Sequence, residues 1–419
     1  MSVGYEIPEM LSYSAITPTM DQRVNWASFT PISGSTFAHS DTIKFRVNSN
    51  NSFLRPSKSF LRYKLNINMA TTVTGNYTTS AAGLVAGTID RVEEIVGGVR
   101  ITDLDKYGAF ISKLYQKAPK EYQNNLEVFE CHNTTGSAIL STLGYSADAT
   151  SLTGKVVCHA LRTPIFECSQ DLPLPFIRGG IEVNLYTGPV ANLMTSAPSA
   201  TDPSTYSISD VSLICAMVET PPSYLKQFQA SLAGGGKAKI PLNITRHLTS
   251  QLIASTENHL QLSVGFLKSL NSMIGIFTET ANLYSTDEYE LQSRVGLTSY
   301  YLTNGSDRIP LDHEIGCSIT TLDPTSAMYE LCSIDNNFGG MNITPVKSLL
   351  TDTNFNIHMN FTPHFSAFGA GMTVKDGSVV LHLKGSSAFA STDRLDSYWN
   401  YSAELSIGID GITLNSANF

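Results

Sequence analysis

Two Cys-His dipeptides, Cys131-His132 and Cys158-His159, offer residue types that hold zinc. Neighbouring residues of a strand point to opposite faces, so each pair gives a shared ion one ligand at most. No Cys-x-x-Cys accompanies them, and each reads as a small buried Cys beside a surface His. Asp312-His313-Glu314 sets two carboxylates beside an imidazole, a set suited to acid–base transfer. It follows the turn-rich Asn304-Gly305-Ser306-Asp307-Arg308-Ile309-Pro310, which makes a solvated loop the simpler reading. Gly234-Gly235-Gly236-Lys237-Ala238 has part of a phosphate loop, but that loop needs a glycine where Ser231 stands and Ser or Thr where Ala238 stands. A flexible linker accounts for the glycines. The Gly-x-Ser-x-Gly elbow of serine hydrolases is absent from the sequence. The carboxylates of a glycosidase are set by spatial separation, and nothing singles out a pair. No catalytic, cofactor-binding or metal-ligating residue is assigned, and no cofactor is expected. Tyr300-Tyr301 and Tyr398-Trp399 stand as candidates for loop or interface contacts.

The elements that would carry such residues are strands. Ile43, Phe45 and Val47 alternate with Lys44 and Arg46; Leu61, Tyr63, Leu65, Ile67 and Met69 alternate with Arg62, Lys64, Asn66 and Asn68. A period of two marks a strand with one dry and one wet face. The pattern predicts further strands at 95–101, with a glycine bulge at Gly97-Gly98, and at 155–167, 181–187 and 211–217. In the second half Leu260, Leu262, Val264 and Phe266 share one parity, as do Phe355, Ile357, Met359 and Phe361, and Ala403, Leu405, Ile407 and Ile409. Two helices are expected: an amphipathic one over 104–117 after Asp103, and a short one over 223–233. The Thr/Gly/Ala-rich stretch 70–88 reads as a surface loop. The layout is an extended arm over 1–38, a first sandwich over 39–233, a glycine linker over 234–239 and a second sandwich over 240–419.

Composition narrows the function. The chain has 419 residues, 42% hydrophobic, enough for two cores. Only 15% are charged, against roughly 25% in ordinary soluble domains. Ser, Thr and Asn fill that role, giving a surface poor at self-repulsion and suited to packing against neighbours. Net charge is −9, and Arg23 is the sole Lys or Arg among residues 1–40. A shell protein that condenses RNA carries a basic arm, so direct nucleic-acid binding is not expected. An apolar run long enough for a membrane helix, a secretion signal and a myristoylation glycine are all missing from the sequence. Cys131, Cys158, Cys168, Cys215, Cys317 and Cys332 are read as free thiols of a chain made in a reducing cytoplasm. Sequons at Asn76, Asn133 and Asn360 then stay unmodified.

In order along the chain stand the strand pair Thr42–Asn48 and Ser59–Met69 with Phe53-Leu54-Arg55-Pro56 between, the helix after Asp103, Leu172-Pro173-Leu174-Pro175-Phe176 before strand 181–187, and the segment Asn304–Pro310. In these the chain resembles the double jelly-roll major capsid proteins of the adenovirus hexon and tailless-phage lineage, nearest to the smaller members of polinton-like viruses and virophages. It is compact for that group. The resemblance implies an all-β chain of two upright jelly rolls side by side with short helices. Three chains would form a pseudo-hexagonal homotrimer, the capsomer of an icosahedral DNA virus shell. Its partners would be neighbouring capsomers, minor capsid or penton proteins and, in some shells, an internal membrane. The arm would lie beneath the shell or reach a neighbour. Made in the host cytoplasm, the protein would end in the virion. Competing readings are a capsid protein with one jelly-roll shell domain plus a projection, a carbohydrate-binding or adhesive β-sandwich protein, and, last, a β-sandwich glycosidase.

Overall fold

A computed structural model describes residues 23–69, 78–79, 83–117, 151–195, 203–279, 296–311, 313–317, 356–361 and 371–416. Cys131, His132, Asp312, Cys332 and residues 1–22 lie outside this set, as does most of 70–88. The first half holds β1 (Arg23–Phe29), β2 (Thr36–Ala38), β3 (Thr42–Val47), β4 (Ser52–Met69), β5 (Thr78–Thr79), β6 (Ile89–Val96), β7 (Val99–Leu104), β8 (Ser151–His159), β9 (Ile181–Thr187), β10 (Met194–Thr195) and β11 (Pro203–Glu219). Helices α1 (Gly83–Thr88), α2 (Tyr107–Lys117) and α3 (Pro222–Ala233) accompany them. The second half holds β12 (Ala238–Gln251), β13 (Glu257–Leu262), β14 (Leu270–Glu279), β15 (Leu297–Asn304), β16 (Asp307–Ile309), β17 (Ile315–Gly316), β18 (Ile357–Asn360), β19 (Val379–Gly385), β20 (Asp393–Gly408) and β21 (Gly411–Ser416).

One sheet of the first half runs β1-β11-β4-β8, with β2 also on β11; its partner runs β3-β9-β6-β7. The second half repeats this as β12-β20-β14-β18, with β21 on β20, and β13-β19-β15-β16, with β17 on β15. Strand for strand the orders correspond, and in each half the chain passes back and forth between the two sheets. This is the jelly roll, built twice in an all-β chain. The alternating residues of β3 and β4 explain why the sheets close on each other. Ile43, Phe45 and Val47, with Leu61, Tyr63, Leu65 and Ile67, are all at most 2% exposed. Fully burying such a side chain contributes roughly 1.5–3 kcal/mol. Ion pairs at the surface reinforce this frame: Arg55 of β4 grips Asp171 of a loop at 2.9 and 2.7 Å, and Arg91 of β6 grips Asp103 of β7 at 2.6 and 2.7 Å.

Seven expectations of the fold change: the strand expected over 155–167 ends at His159, the surface loop expected over 70–88 ends in α1 with Val85 and Thr88 buried, and five more follow. Part of the stretch expected as an arm is sheet: β1 pairs along β11 from Arg23↔Glu219 to Phe29↔Leu213, and β2 pairs with β11 as well. The strand expected over 95–101 is two strands: Gly97 and Gly98, at φ +54° and +87°, make the two-residue turn of the β6–β7 hairpin. The amphipathic helix begins at Tyr107, because Leu104 completes β7, and from Tyr107 to Tyr115 it is buried on every side, Ser112 and Lys113 included. The linker ends earlier, since Ala238 and Lys239 open β12. Phe266, expected inside, is 76% exposed, because β13 stops at Leu262.

Candidate assembly surfaces

A helix buried all round needs two partners, and α2 finds its second in the other half. On β14, Met273 and Phe277 enter the core of the second sandwich with Trp399 and Leu395, while Ile274 and Ile276 join Tyr398 in the buried cluster of the first half. The register Met273↔Trp399 and Ile274↔Tyr398 sets these residues on alternate faces, so this sheet is apolar on both sides. Phe110 of α2 stacks on Tyr398 at 4.9 Å, and His247 of β12 stacks on it at the same distance. The Tyr398 hydroxyl donates to the carbonyl of Lys106 at 3.1 Å. The edge of β7 lies along β12 and β21, where the Thr102 hydroxyl donates to the Thr245 carbonyl at 3.3 Å. Asp396 sits buried at the rim, 2.9 Å from His247 Nε2 and 2.7 Å from Arg394 and from the Thr249 hydroxyl. Burial pushes its carboxyl up, but the hydrogen bond and charge of His247 and the charge of Arg394 outweigh that and hold it below the usual range.

The corresponding sheet of the first half is covered over only part of its outer face among the described residues. On its outer side β1 presents Val24 and Trp26, 41% and 59% exposed. Trp26 meets Phe60 of β4 edge-to-face at 5.8 Å, and Phe60 pairs across the sheet with Ile214. Arg62 and Lys64 continue the same face along β4, with Lys64 on Asp210 at 2.6 Å. Further along, α3 covers the face: Phe228 lies tilted against Phe176 at 4.8 Å and meets Phe53 edge-to-face at 5.8 Å.

The polar residues singled out in the sequence do not converge. His159 is buried and its Nε2 lies 2.7 Å from the hydroxyl of Tyr107, while neighbouring Cys158 is half-buried on the opposite face. This reverses the expected buried Cys and surface His, because β8 turns the His parity inward toward α2. His313 is exposed. Glu314 accepts from Ser299 at 2.7 Å and from Lys384, with Arg308 at 3.4 Å. Burial raises the Glu314 carboxyl, but the Lys384 and Ser299 hydrogen bonds outweigh it and keep it low. Gly234 caps α3, and the glycines lead directly into β12. Tyr300 is buried in the second core, whereas Tyr301 stacks at 4.3 Å on His382 beneath the Arg308 guanidinium at 4.1 Å. Of the Tyr398-Trp399 pair, Tyr398 makes the joint and Trp399 the core. Among the described residues there is no group of three or more His, Cys, Asp or Glu placed to hold a metal ion.

Sequence reasoning missed two acids beneath the surface, the buried Glu94 and the half-buried Glu167. Glu94 lies on the inward parity of β6 between Val92 and Val96, fully buried, accepting from the Thr163 hydroxyl and from the Ile165 amide at 3.1 Å. Burial pushes its carboxyl up to about 8. Glu167 is pushed up to about 7 by burial against the opposing charge of Arg162, 3.7 Å away. The signal was present in the sequence, since Glu94 shares the parity of Val92 and Val96.

No family model matches the chain, and no curated protein matches its sequence. Solved structures do. PBCV-1 VP54, as fitted into a reconstruction of the virophage Sputnik, superposes with a TM-score of 0.61 at 11% identity, over 95% of this chain and 98% of that one. The Faustovirus major capsid protein gives 0.59 at 10% identity, over 93% and 91%. The mavirus major capsid protein gives 0.54 at 11%, over 94% and 90%. The chain has the double jelly-roll fold. At these identities the likeness is one of architecture, and it extends along nearly the whole of each chain. Within the double jelly roll, the Phe110–Tyr398–His247 stack is what locks one roll to the other.

Proposed function

We infer that the protein is a major capsid protein, a structural and non-enzymatic chain that forms homotrimeric, pseudo-hexameric capsomers of an icosahedral DNA virus shell. The observation that carries this reading is the repetition: the same eight-strand order twice in one chain, with residues of both halves in one buried cluster. Solved proteins described as major capsid proteins match that arrangement end to end. Six similar sandwiches in three chains pack more evenly in a flat lattice than three dissimilar lobes. In this reading the rolls are two domains meeting at the 234–237 glycines, with β1 and β2 belonging to the first. Residues 1–22 remain as the arm that contacts a neighbour or the underside of the shell. Neighbouring capsomers, minor or penton proteins and a membrane under the shell are the partners. Synthesis is in the host cytoplasm and the destination is the virion. The acidic balance suits a shell that does not touch the genome directly.

Light scattering after gel filtration, with negative-stain images of the same peak, tests this. The expected result is a homogeneous particle of three 45.5 kDa chains with a hexagonal outline. A stable monomer that never assembles, together with specific glycan binding, would replace this reading with the adhesive one.

A further inference from the structure

Two strands of the second half carry a histidine at the same register position. His259 of β13 and His382 of β19 are direct cross-strand partners. Each stands between buried neighbours, Asn258 and Leu260 in β13 and Leu381 and Leu383 in β19, so both imidazoles fall on the outer parity of the sheet. Their Nδ1 atoms face each other at 2.7 Å. The His382 ring is held from three sides: Nε2 lies 3.0 Å from the Thr303 hydroxyl, the ring stacks on Tyr301 at 4.3 Å with an interplanar angle of 6°, and Nδ1 meets His259. His259 is exposed, and its ring has room to turn. Burial and then the neighbouring His259 push the His382 imidazole below its ordinary value, so at neutral pH it is uncharged and has a lone pair to give. The charges around the pair balance. Arg308 and Lys384 lie over Tyr301 at 4.1 and 5.9 Å, but Glu314 pairs with both, and Glu257 adds a second carboxylate opposite Lys384 in the register.

We propose that His259 and His382 form a two-imidazole site for a divalent transition-metal ion of the zinc class, bridging β13 and β19. Imidazole nitrogen suits zinc, copper and nickel, whereas calcium and magnesium take oxygen. Two nitrogens each about 2.0–2.1 Å from a zinc ion stand roughly 3.3 Å apart at the tetrahedral angle. The pair at 2.7 Å therefore admits the ion once the rings part by roughly 0.6 Å, a movement the exposed His259 ring can supply. No net proton is released. In the metal-free pair one Nδ1–H donates to the other Nδ1; on binding, that ring exchanges its proton to Nε2 through solvent, and both Nδ1 lone pairs turn to the ion. The Nε2–H of His382 then donates to the Thr303 hydroxyl, the kind of outer hydrogen bond that fixes tautomer and ring plane in metal sites. Water fills the remaining positions, since no third His, Cys, Asp or Glu joins the pair among the described residues. The ion fastens β13, the end strand of the order β13-β19-β15-β16, to the strand it pairs with. The site does not depend on the chain building a shell.

Zinc chloride titrated calorimetrically into the full-length wild type, His259→Ala, His382→Ala and His39→Ala tests this, each protein first checked for native circular dichroism. His39 is an exposed histidine of the first half and serves as the control. The wild type and His39→Ala should bind the same number of ions, and at concentrations that saturate them His259→Ala and His382→Ala should each bind one fewer. Saturating zinc should also raise the melting temperature of the wild type more than that of either variant. Thr303 is a positioning residue for this site: Thr303→Val should weaken it by about 10–100-fold, and Thr303→Ser, which keeps the hydroxyl, should restore it. His259 lies at the surface, so its substitution reads the site even if His382→Ala fails to fold. Equal stoichiometry and affinity in all four histidine proteins, or a wild type that takes up no zinc, overturns the site. Loss of the same ion in His39→Ala overturns its assignment to this pair. Unchanged affinity in Thr303→Val overturns the positioning role of Thr303.

Discussion

Glu94 is where one residue makes the whole protein sensitive to pH. Its carboxyl titrates near 4.5 in the unfolded chain and at about 8 in the fold, raised by burial against the hydrogen bonds from Thr163 and Ile165. Between those values the folded state holds the extra proton, so stability is full at low pH and declines as pH rises through the window. For one isolated group the slope is on the order of 1.4 kcal/mol per pH unit, an upper bound once water relaxes around the site. Glu167 adds to the slope in the same direction up to about 7. Glu94→Gln should therefore match the wild type at pH 5 and melt several degrees higher at pH 8. Thermal unfolding of both proteins across that range measures it; a variant that differs equally at pH 5 and pH 8 would show that packing, not the proton, sets the effect. His382 contributes separately at the surface. Burial and then the neighbouring His259, whose Nδ1 lies 2.7 Å away, push it below its ordinary value.

Between residue and sheet, the β6–β7 hairpin shows how a turn serves the joint. Gly97 and Gly98 both have positive φ, which costs a residue with a Cβ about 1 kcal/mol or more. A Cβ at Gly98 would meet nothing within 4 Å, but at Gly97 it would stand 2.4 Å from Cδ1 of Ile412, on β21 of the second half. Gly98→Ala should cost about 1 kcal/mol, and Gly97→Ala about twice that as β21 is displaced. Urea denaturation midpoints compare them, and equal losses would mean that the contact with Ile412 is slack. Elements such as this mark the limit of what the sequence shows. β3, β4 and β13 were legible because each has one dry face. β1 was not, because Val24 and Trp26 point outward and only Ala27 and Phe29 on the other parity pack, partly buried, against the core. Val96-Gly97-Gly98-Val99 reads equally as a bulged strand or a hairpin, and only the pairing of Ile95 with Arg100 decides. The internal joint did leave a trace. Met273-Ile274-Gly275-Ile276-Phe277 is apolar on both parities, the pattern of a strand buried on two sides. Its second partner, α2, lies more than 150 residues earlier, beyond the reach of any local pattern.

For the whole molecule the shared cluster has a thermodynamic consequence. Two sandwiches joined by a flexible glycine stretch would ordinarily unfold as two units. Here Ile274, Ile276, Tyr398 and Leu405 of the second half are buried with Phe45, Leu65 and Phe110 of the first. Unfolding either half exposes the face that the other covers. Calorimetry should then show one transition, with calorimetric and van 't Hoff enthalpies in agreement. Two resolved peaks would mean that the Phe110–Tyr398 joint is too weak to couple the rolls. The same argument fixes what the linker does. If the joint and not the peptide bond holds the halves, a protease site inserted after Gly235 can be cut without separating them. The nicked protein should co-elute as one particle and keep its melting temperature to within a few degrees. Separation into two fragments would assign the coupling to the linker instead.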